Sequence, residues 1–172
     1  YMEVSFLKDF KFRANFAYNN SNRKDIDYQN ALYGDAKNVG GRAYHYQYKR
    51  DVMTFNQILS WNRDFGRHNI SALAGHEAYK EDYYYLEVSK ENFYYPGNPE
   101  LANAAKITGA TSYKNSRRIE SYFAKADYSF DNRYYASLSF RRDASSRFHK
   151  DNRWGNFWAI GASWRVSQEN FM

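Results

Sequence analysis

The chain has no cysteine, which removes disulfide frameworks, thiolate metal sites and cysteine nucleophiles while saying nothing of compartment. It has only two prolines, Pro96 and Pro99, in one stretch. No run approaches the roughly 20 apolar residues of a membrane-crossing helix, and no short apolar core follows a basic start as in a signal peptide. Helical membrane architecture is excluded. Mean hydropathy is low at −0.92, yet 4 Trp, 18 Tyr and 13 Phe are present, a load of bulky apolar groups that disordered chains lack. The 172 residues carry a net charge of +6 and suit one ordinary domain or a piece of a larger one. The chain opens at Tyr1, with Met2 followed by Glu3. That start is expected of an excised or processed fragment, for which a missing export signal carries no information.

What is abundant is alternation. Phe10, Phe12, Ala14, Phe16 and Tyr18 fall on one parity and Lys11, Arg13, Asn15 and Asn19 on the other, the signature of a strand with one apolar and one polar face. A polar stretch follows from 21 to 41, and then an extended segment from about 44 to 63. Its later half sets Met53, Phe55, Leu59 and Trp61 on one face, whereas Tyr44, Tyr46 and Tyr48 take the opposite parity. Either a bulge intervenes near Arg50 or the tyrosines project beyond the constrained layer. The chain turns at 64 to 67 and returns from His68 to about Val88. Residues 89 to 115 are expected to form the longest loop, with one helical turn within 102 to 107. The clearest hairpin follows: Tyr122, Ala124, Ala126, Tyr128 and Phe130, a turn at 131 to 133, then Tyr134, Ala136, Leu138 and Phe140. A polar loop from 144 to 156 leads to a last strand with Trp158, Ile160, Ala162 and Trp164 on one side.

Short turns near 8–9, 64–67 and 131–133 alternate with long polar loops, which puts every short turn at one end of an antiparallel meander. Strands of about 10 to 12 residues match what crosses a tilted bilayer. The expected class is all-β, an antiparallel up-and-down meander forming part of a large transmembrane β-barrel. Its apolar face would meet lipid and its polar face a wet lumen. Closure matters because lipid cannot satisfy an unpaired strand edge, and each bare backbone group costs several kcal/mol there. The whole chain, 1–172, is thus expected to be a partial barrel of about seven strands, the first truncated, with a plug domain and the remaining strands absent.

The ordered series Ser121–Phe130, then Arg141, Arg142, Asp143, Ala144, Ser145, Ser146, Arg147, Phe148, then Asn152, Arg153, Trp154, Gly155, then Ala162–Ser167 closely resembles the barrel of SusC/RagA-type TonB-dependent transporters. Phe65-Gly66-Arg67-His68, with Gly75 beyond it, resembles an earlier segment of the same family. Ala144 stands where the family usually has Gly, and Trp158 where Pro usually follows the Phe matching Phe157. The resemblance implies a 22-strand barrel holding a plug, located in the outer membrane of Bacteroidota. It also implies a SusD-like lipoprotein over the mouth, the TonB-ExbB-ExbD machinery acting through the plug, and oligosaccharide or peptide as cargo. Short turns would face the periplasm and long loops the exterior. No cofactor and no metal are implied.

Two groups of residues stand out as candidate sites. Arg141, Arg142, Asp143, Arg147 and Arg153 form a mixed-sign cluster within the motif, able to position plug, partner or ligand. Loop order accounts for such a cluster without a ligand, so a mainly structural role is favoured for them and for Ser145, Ser146, Phe148, Asn152, Trp154 and Gly155. Alternation makes Arg141 and Asp143 lumenal and puts Arg142 near the outer rim. Tyr83, Tyr84, Tyr85, Phe93, Tyr94 and Tyr95 are candidates for stacking on sugar rings or peptide side chains, against the plainer reading of an interfacial girdle and loop packing. Three consecutive tyrosines cannot share one face of a strand.

Catalytic patterns are poor. The four histidines are scattered, and His68 and His76 lie about 27 Å apart along an extended strand. The carboxylate pairs Asp25/Asp27 and Glu81/Asp82 fall in or near polar stretches, where solvation explains them, so no enzyme activity is expected. A pI near 9.3 with many aromatics admits a nucleic-acid platform, but the basic residues are spread over many strands and form no stripe; no nucleic-acid partner is expected. The stronger competitor is a secreted carbohydrate-binding β-sandwich.

Overall fold

A computed structural model describes residues 1–169. Seven strands follow one another: β1 (Met2–Phe6), β2 (Phe10–Gln29), β3 (Arg42–Phe65), β4 (His68–Phe93), β5 (Ala104–Phe130), β6 (Tyr134–Ser145) and β7 (Trp154–Trp164). They form one antiparallel sheet in sequential order, β1 through β7. No second sheet stacks on it among the described residues, so the sandwich alternative does not hold. No helix is long and apolar enough to cross a membrane among those residues.

The faces of β5, β6 and β7 follow from their register. Leu138 lies opposite Ala126 and Ile160, Phe140 opposite Ala124 and Trp158, and Ala136 opposite Tyr128 and Ala162. One end of this face closes with Phe130, Tyr134 and Trp164, the other with Tyr122 and Trp154. An apolar middle between aromatic borders is the pattern of a lipid-facing band. From Tyr134 to Ala144 a strand rises about 33 Å, which at barrel tilt becomes a band about 25 Å tall. The opposite face carries Asp127, Ser137 and Gly161 in one row and Ser121, Asp143 and Gly155 in another.

The short turns rest on positive backbone angles. Asp131 and Asn132 both sit at φ 54°, and Leu7 and Lys8 at 49° and 61°. Asp and Asn tolerate this region; Leu7 adopts it against its own preference. Neighbouring turns are tied sideways by backbone bonds, Asn62 N–H to Asp9 O (3.1 Å) and Asp131 N–H to Arg67 O (2.7 Å). Arg67 adds an ion pair to Asp131 at 2.5 Å.

Strands β2 to β5 run 20 to 27 residues, about twice the expected length. The expected loop at 89–115 is therefore mostly strand and the polar stretch at 21–41 partly so: residues 94–103 alone separate β4 from β5, and 30–41 alone separate β2 from β3. Alternation is visible only where one face meets an apolar layer; beyond it both faces are wet and the pattern fades. The expected helical turn near 102 to 107 is instead a 3-10 turn at Leu101–Asn103. The bulge proposed near Arg50 is absent from the β2–β3 ladder: Asn20 bonds Asp51 (2.5 Å) after it and the Arg23 guanidinium lies over the Tyr48 ring (5.9 Å) before it, in one register, so Tyr44, Tyr46 and Tyr48 keep the parity of Asn56.

The chain divides into two compact units. One comprises Tyr1–Tyr18, Met53–Lys80 and the residues from Arg117 onward; the other comprises Asn19–Val52 and Glu81–Ser116. In the first unit, Gly75 leaves room for a ring: an added Cβ would lie 2.3 Å from the Phe123 side chain and 3.0 Å from the Gln57 carbonyl oxygen. An aromatic covering a strand glycine is a recurrent device for pinning register. We expect Gly75→Ala to destabilise the fold by about 1–3 kcal/mol, and a Phe123→Ala background to restore much of that loss. Denaturant titration of the four-member cycle measures the coupling, and additive losses would show that the ring and the glycine do not depend on each other.

Candidate functional site

In the second unit, tyrosines gather on one face. Tyr44, Tyr46 and Tyr48 stack in a row along β3, with ring centres 6.2 and 6.3 Å apart and planes within 7° and 20°. The spacing follows from the strand itself, since residues i and i+2 are about 6.6 Å apart. Tyr48 meets Tyr85 on β4 at 5.3 Å, Tyr85 meets Tyr113 on β5 at 5.2 Å, and Tyr83 meets Tyr113 at 6.0 Å. Tyr85 donates to Glu87 Oε2 at 2.6 Å. That bond, with burial, pushes the Tyr85 phenol above its usual range, so it remains a donor at any physiological pH.

The six aromatic residues expected at this site have different placements. Tyr83 and Tyr85 belong to the cluster, and Tyr84 carries the other parity. Phe93 is buried, 7% exposed, packing with Ala43, Ala104 and Tyr28. Asn92 just before it sits at φ 64°, which breaks the alternation and turns Phe93 to the face of Ala43 and Tyr28. Tyr94 and Tyr95 are exposed on the 94–103 loop, whose backbone is held by Asn103: its Nδ2 donates to Tyr95 O (2.7 Å) and Asn98 O (2.9 Å). Tyr44, Tyr46, Tyr48 and Tyr113 were not singled out as binding residues. The parity of the β3 tyrosines was visible; their register against Tyr85 was not.

Above the tyrosines lies an ionic clasp. Arg42 donates through Nε (2.9 Å) and Nη2 (2.8 Å) to Glu91 Oε1, and Lys106 Nζ stands 3.5 Å from Glu91 Oε2. Glu91 is 7% exposed, and the Arg42 guanidinium, reinforced by Lys106, holds its carboxyl below the ordinary range.

The motif residues lie in the first unit and divide between its two faces. Arg141 donates to Asp143 through Nε (2.8 and 3.0 Å) and to Ser121 Oγ through Nη2 (3.1 Å), lies 3.9 Å from Glu77, and covers the Phe123 ring. Arg142 is on the opposite face, over the Trp154 ring at 4.7 Å. The loop is pinned by Ser145 N–H to Arg153 O (3.2 Å) and by Ser146, which donates its N–H to Arg118 O and accepts the Arg118 N–H on Oγ, both at 2.9 Å. Phe148 N–H reaches Ser145 O and Asn152 N–H reaches His149 O; Arg147 is exposed. Gly155 lies opposite Asp143. Among the described residues no group of three or more His, Asp or Glu gathers where a metal could be held.

No protein-family model matches the chain. It is 30% identical to the TonB-dependent receptor SusC of Bacteroides thetaiotaomicron over 134 residues, 74% of this chain and 13% of that protein. It is 25% identical to the TonB-dependent receptor P3 of Formosa agariphila, a match covering 100% of this chain and 17% of that protein. Among solved structures, a chain of the RagAB peptide transporter superposes with a TM-score of 0.91 at 19% identity, over 99% of this chain and 19% of that one. The chain thus spans well under a quarter of the length of these relatives.

For the clasp, the sign of the pH dependence follows from Glu91. With its carboxyl lowered in the folded state, the stabilisation is complete above the ordinary value of 4.5 and is lost as pH falls through the lowered one. Hydrogen exchange of the 94–103 amides should accelerate between pH 6 and roughly pH 3 beyond the intrinsic trend, and Glu91→Gln should abolish that excess. The same acceleration in the Gln variant would assign it elsewhere.

Proposed function

The chain is related to the SusC/RagA-type TonB-dependent transporters and is folded as a stretch of their barrel, and on that premise we propose that it forms part of the wall and mouth of an outer-membrane active importer. The observation that carries this reading is the exposed apolar face of β6 and β7: Leu138 is 52% exposed, Ile160 72% and Trp158 73%. Soluble proteins rarely leave such residues side by side in water, whereas hydrocarbon bounded by headgroups accepts them. The open edges of β1 and β7 would pair with further strands to close the ring, since lipid offers no partner for backbone amides.

In this proposal the short turns face the periplasm and the long loops the exterior. A SusD-like lipoprotein caps the mouth, and TonB-ExbB-ExbD drives passage through a plug in the lumen. The cargo is an oligosaccharide or a peptide, met by Tyr46, Tyr48, Tyr83, Tyr85 and Tyr113, with Tyr94 and Tyr95 reaching from the loop. Arg141 has a structural role, tying β6 to β5 on the polar face. The protein performs no chemistry on its cargo.

Leu138→Arg and Ser139→Arg separate the two faces by one residue. In the intact protein folded into liposomes, Leu138→Arg should cost about 2–4 kcal/mol, as a cation at the bilayer midplane does, and Ser139→Arg much less. Equal costs for the two substitutions would remove the lipid-facing assignment. Uptake of labelled oligosaccharides or peptides by cells carrying the intact protein should cease when the proton gradient is collapsed.

A further inference from the structure

Several arginines of the first unit have carboxylate partners: Arg13 with Glu3 (2.6 Å), Arg141 with Asp143 (2.8 Å), Arg67 with Asp131 (2.5 Å). Arg118, Arg142 and Arg153, at the loop end of the apolar face, have none among the described residues. Register puts Arg118 opposite Ser146 and Arg142 opposite Tyr122, on the same face as Leu138 and Phe140. Arg118 and Arg142 are exposed, and the Nε of Arg153 is buried without a hydrogen-bond partner. Arg118 and Arg153 border a groove of about 720 Å³ whose other walls include Phe16, Met53, Phe55 and Trp154. The acid in that groove, Glu120, accepts the Tyr122 hydroxyl at 2.6 Å.

We propose that this rim, Arg118, Arg142 and Arg153, binds the phosphate of a lipid headgroup whose acyl chain lies along Phe16, Met53 and Phe55. The inference rests on the membrane reading above. Three guanidinium groups without an ion pair among the described residues, set where an apolar face ends, suit an anion supplied from outside the chain. At that depth of a bilayer the anion available is the headgroup phosphate, which guanidinium groups bind through paired, charge-assisted bonds. The groove adds what a free anion would not use: apolar walls continuous with the lipid-facing band. Trp154, stacked on Tyr122 at 6.0 Å and beneath the Arg142 guanidinium, fixes the rim at headgroup height.

The test uses the intact protein in nanodiscs and native mass spectrometry of retained lipid, comparing lipid A with dephosphorylated lipid A of the same acyl chains. The wild type should retain the phosphorylated form at least roughly tenfold better, given the attraction of several basic residues for anionic headgroups. The triple substitution Arg118→Gln, Arg142→Gln, Arg153→Gln should bring the ratio near one, and Arg142→Lys should largely preserve it. A wild-type ratio near one overturns the proposal without any variant, as does a triple variant that keeps its preference. Displacement of lipid A by inorganic phosphate at similar concentration would make this a free-anion site and overturn the lipid assignment. Failure of the protein to enter the bilayer would instead remove the barrel reading itself, an outcome distinct from insertion without headgroup preference.

Discussion

In hydrocarbon a backbone amide has no partner except another strand, and the proposed barrel wall takes its form from that restriction. The strands pair in sequence order, so each hairpin satisfies the next and no connection crosses the sheet. Once the backbone is committed to pairing, only two directions remain for side chains, and the chain uses them for opposite purposes. The row Ala126, Leu138, Ile160 and the row Lys125, Ser139, Ala159 are one residue apart in sequence. A slip of one residue would exchange them, which explains why the chain also invests in register devices such as the Gly75–Phe123 contact.

Charge is distributed to respect the same division. Lys125 and Asp127 pair at 2.8 Å on the polar face, and Arg141 binds across from β6 to β5 and β4 on that face. The turn pair of Arg67 and Asp131 lies beyond the end of the band. Exposed pairs of this kind contribute little stability individually. Their value is geometric, because they hold strand ends and turns at fixed spacing without placing an ion on the apolar face. The loop-end arginines, set over Trp154 and beside the groove, are the exception, and their position at the edge of that face is what gives them meaning.

Legibility in the sequence followed the apolar face closely. The hairpin of β5 and β6 and the strand β7 were readable residue by residue, since one face is apolar over the whole span. The upper halves of β2 to β5 were not, because strands wet on both sides lose the period-two contrast and resemble polar loops. The candidate site shared that fate. Tyr83 and Tyr85 could be named from their run, but Tyr113 and the β3 tyrosines needed the register that brings them to Tyr85. Phe93 was misplaced by one left-handed residue, Asn92, which no alternation rule anticipates. Arg42 and Glu91 are 49 residues apart in sequence, and only pairing of β3 with β4 brings them together.

The stacked tyrosines of β3 bear on what kind of surface their face presents. With Tyr44, Tyr46 and Tyr48 packed ring against ring, their flat surfaces are occupied by one another, and a passing molecule meets ring edges and hydroxyl groups. Such a row offers many shallow, interchangeable footholds at even steps, each readily traded for water. A surface lined this way favours gliding over capture.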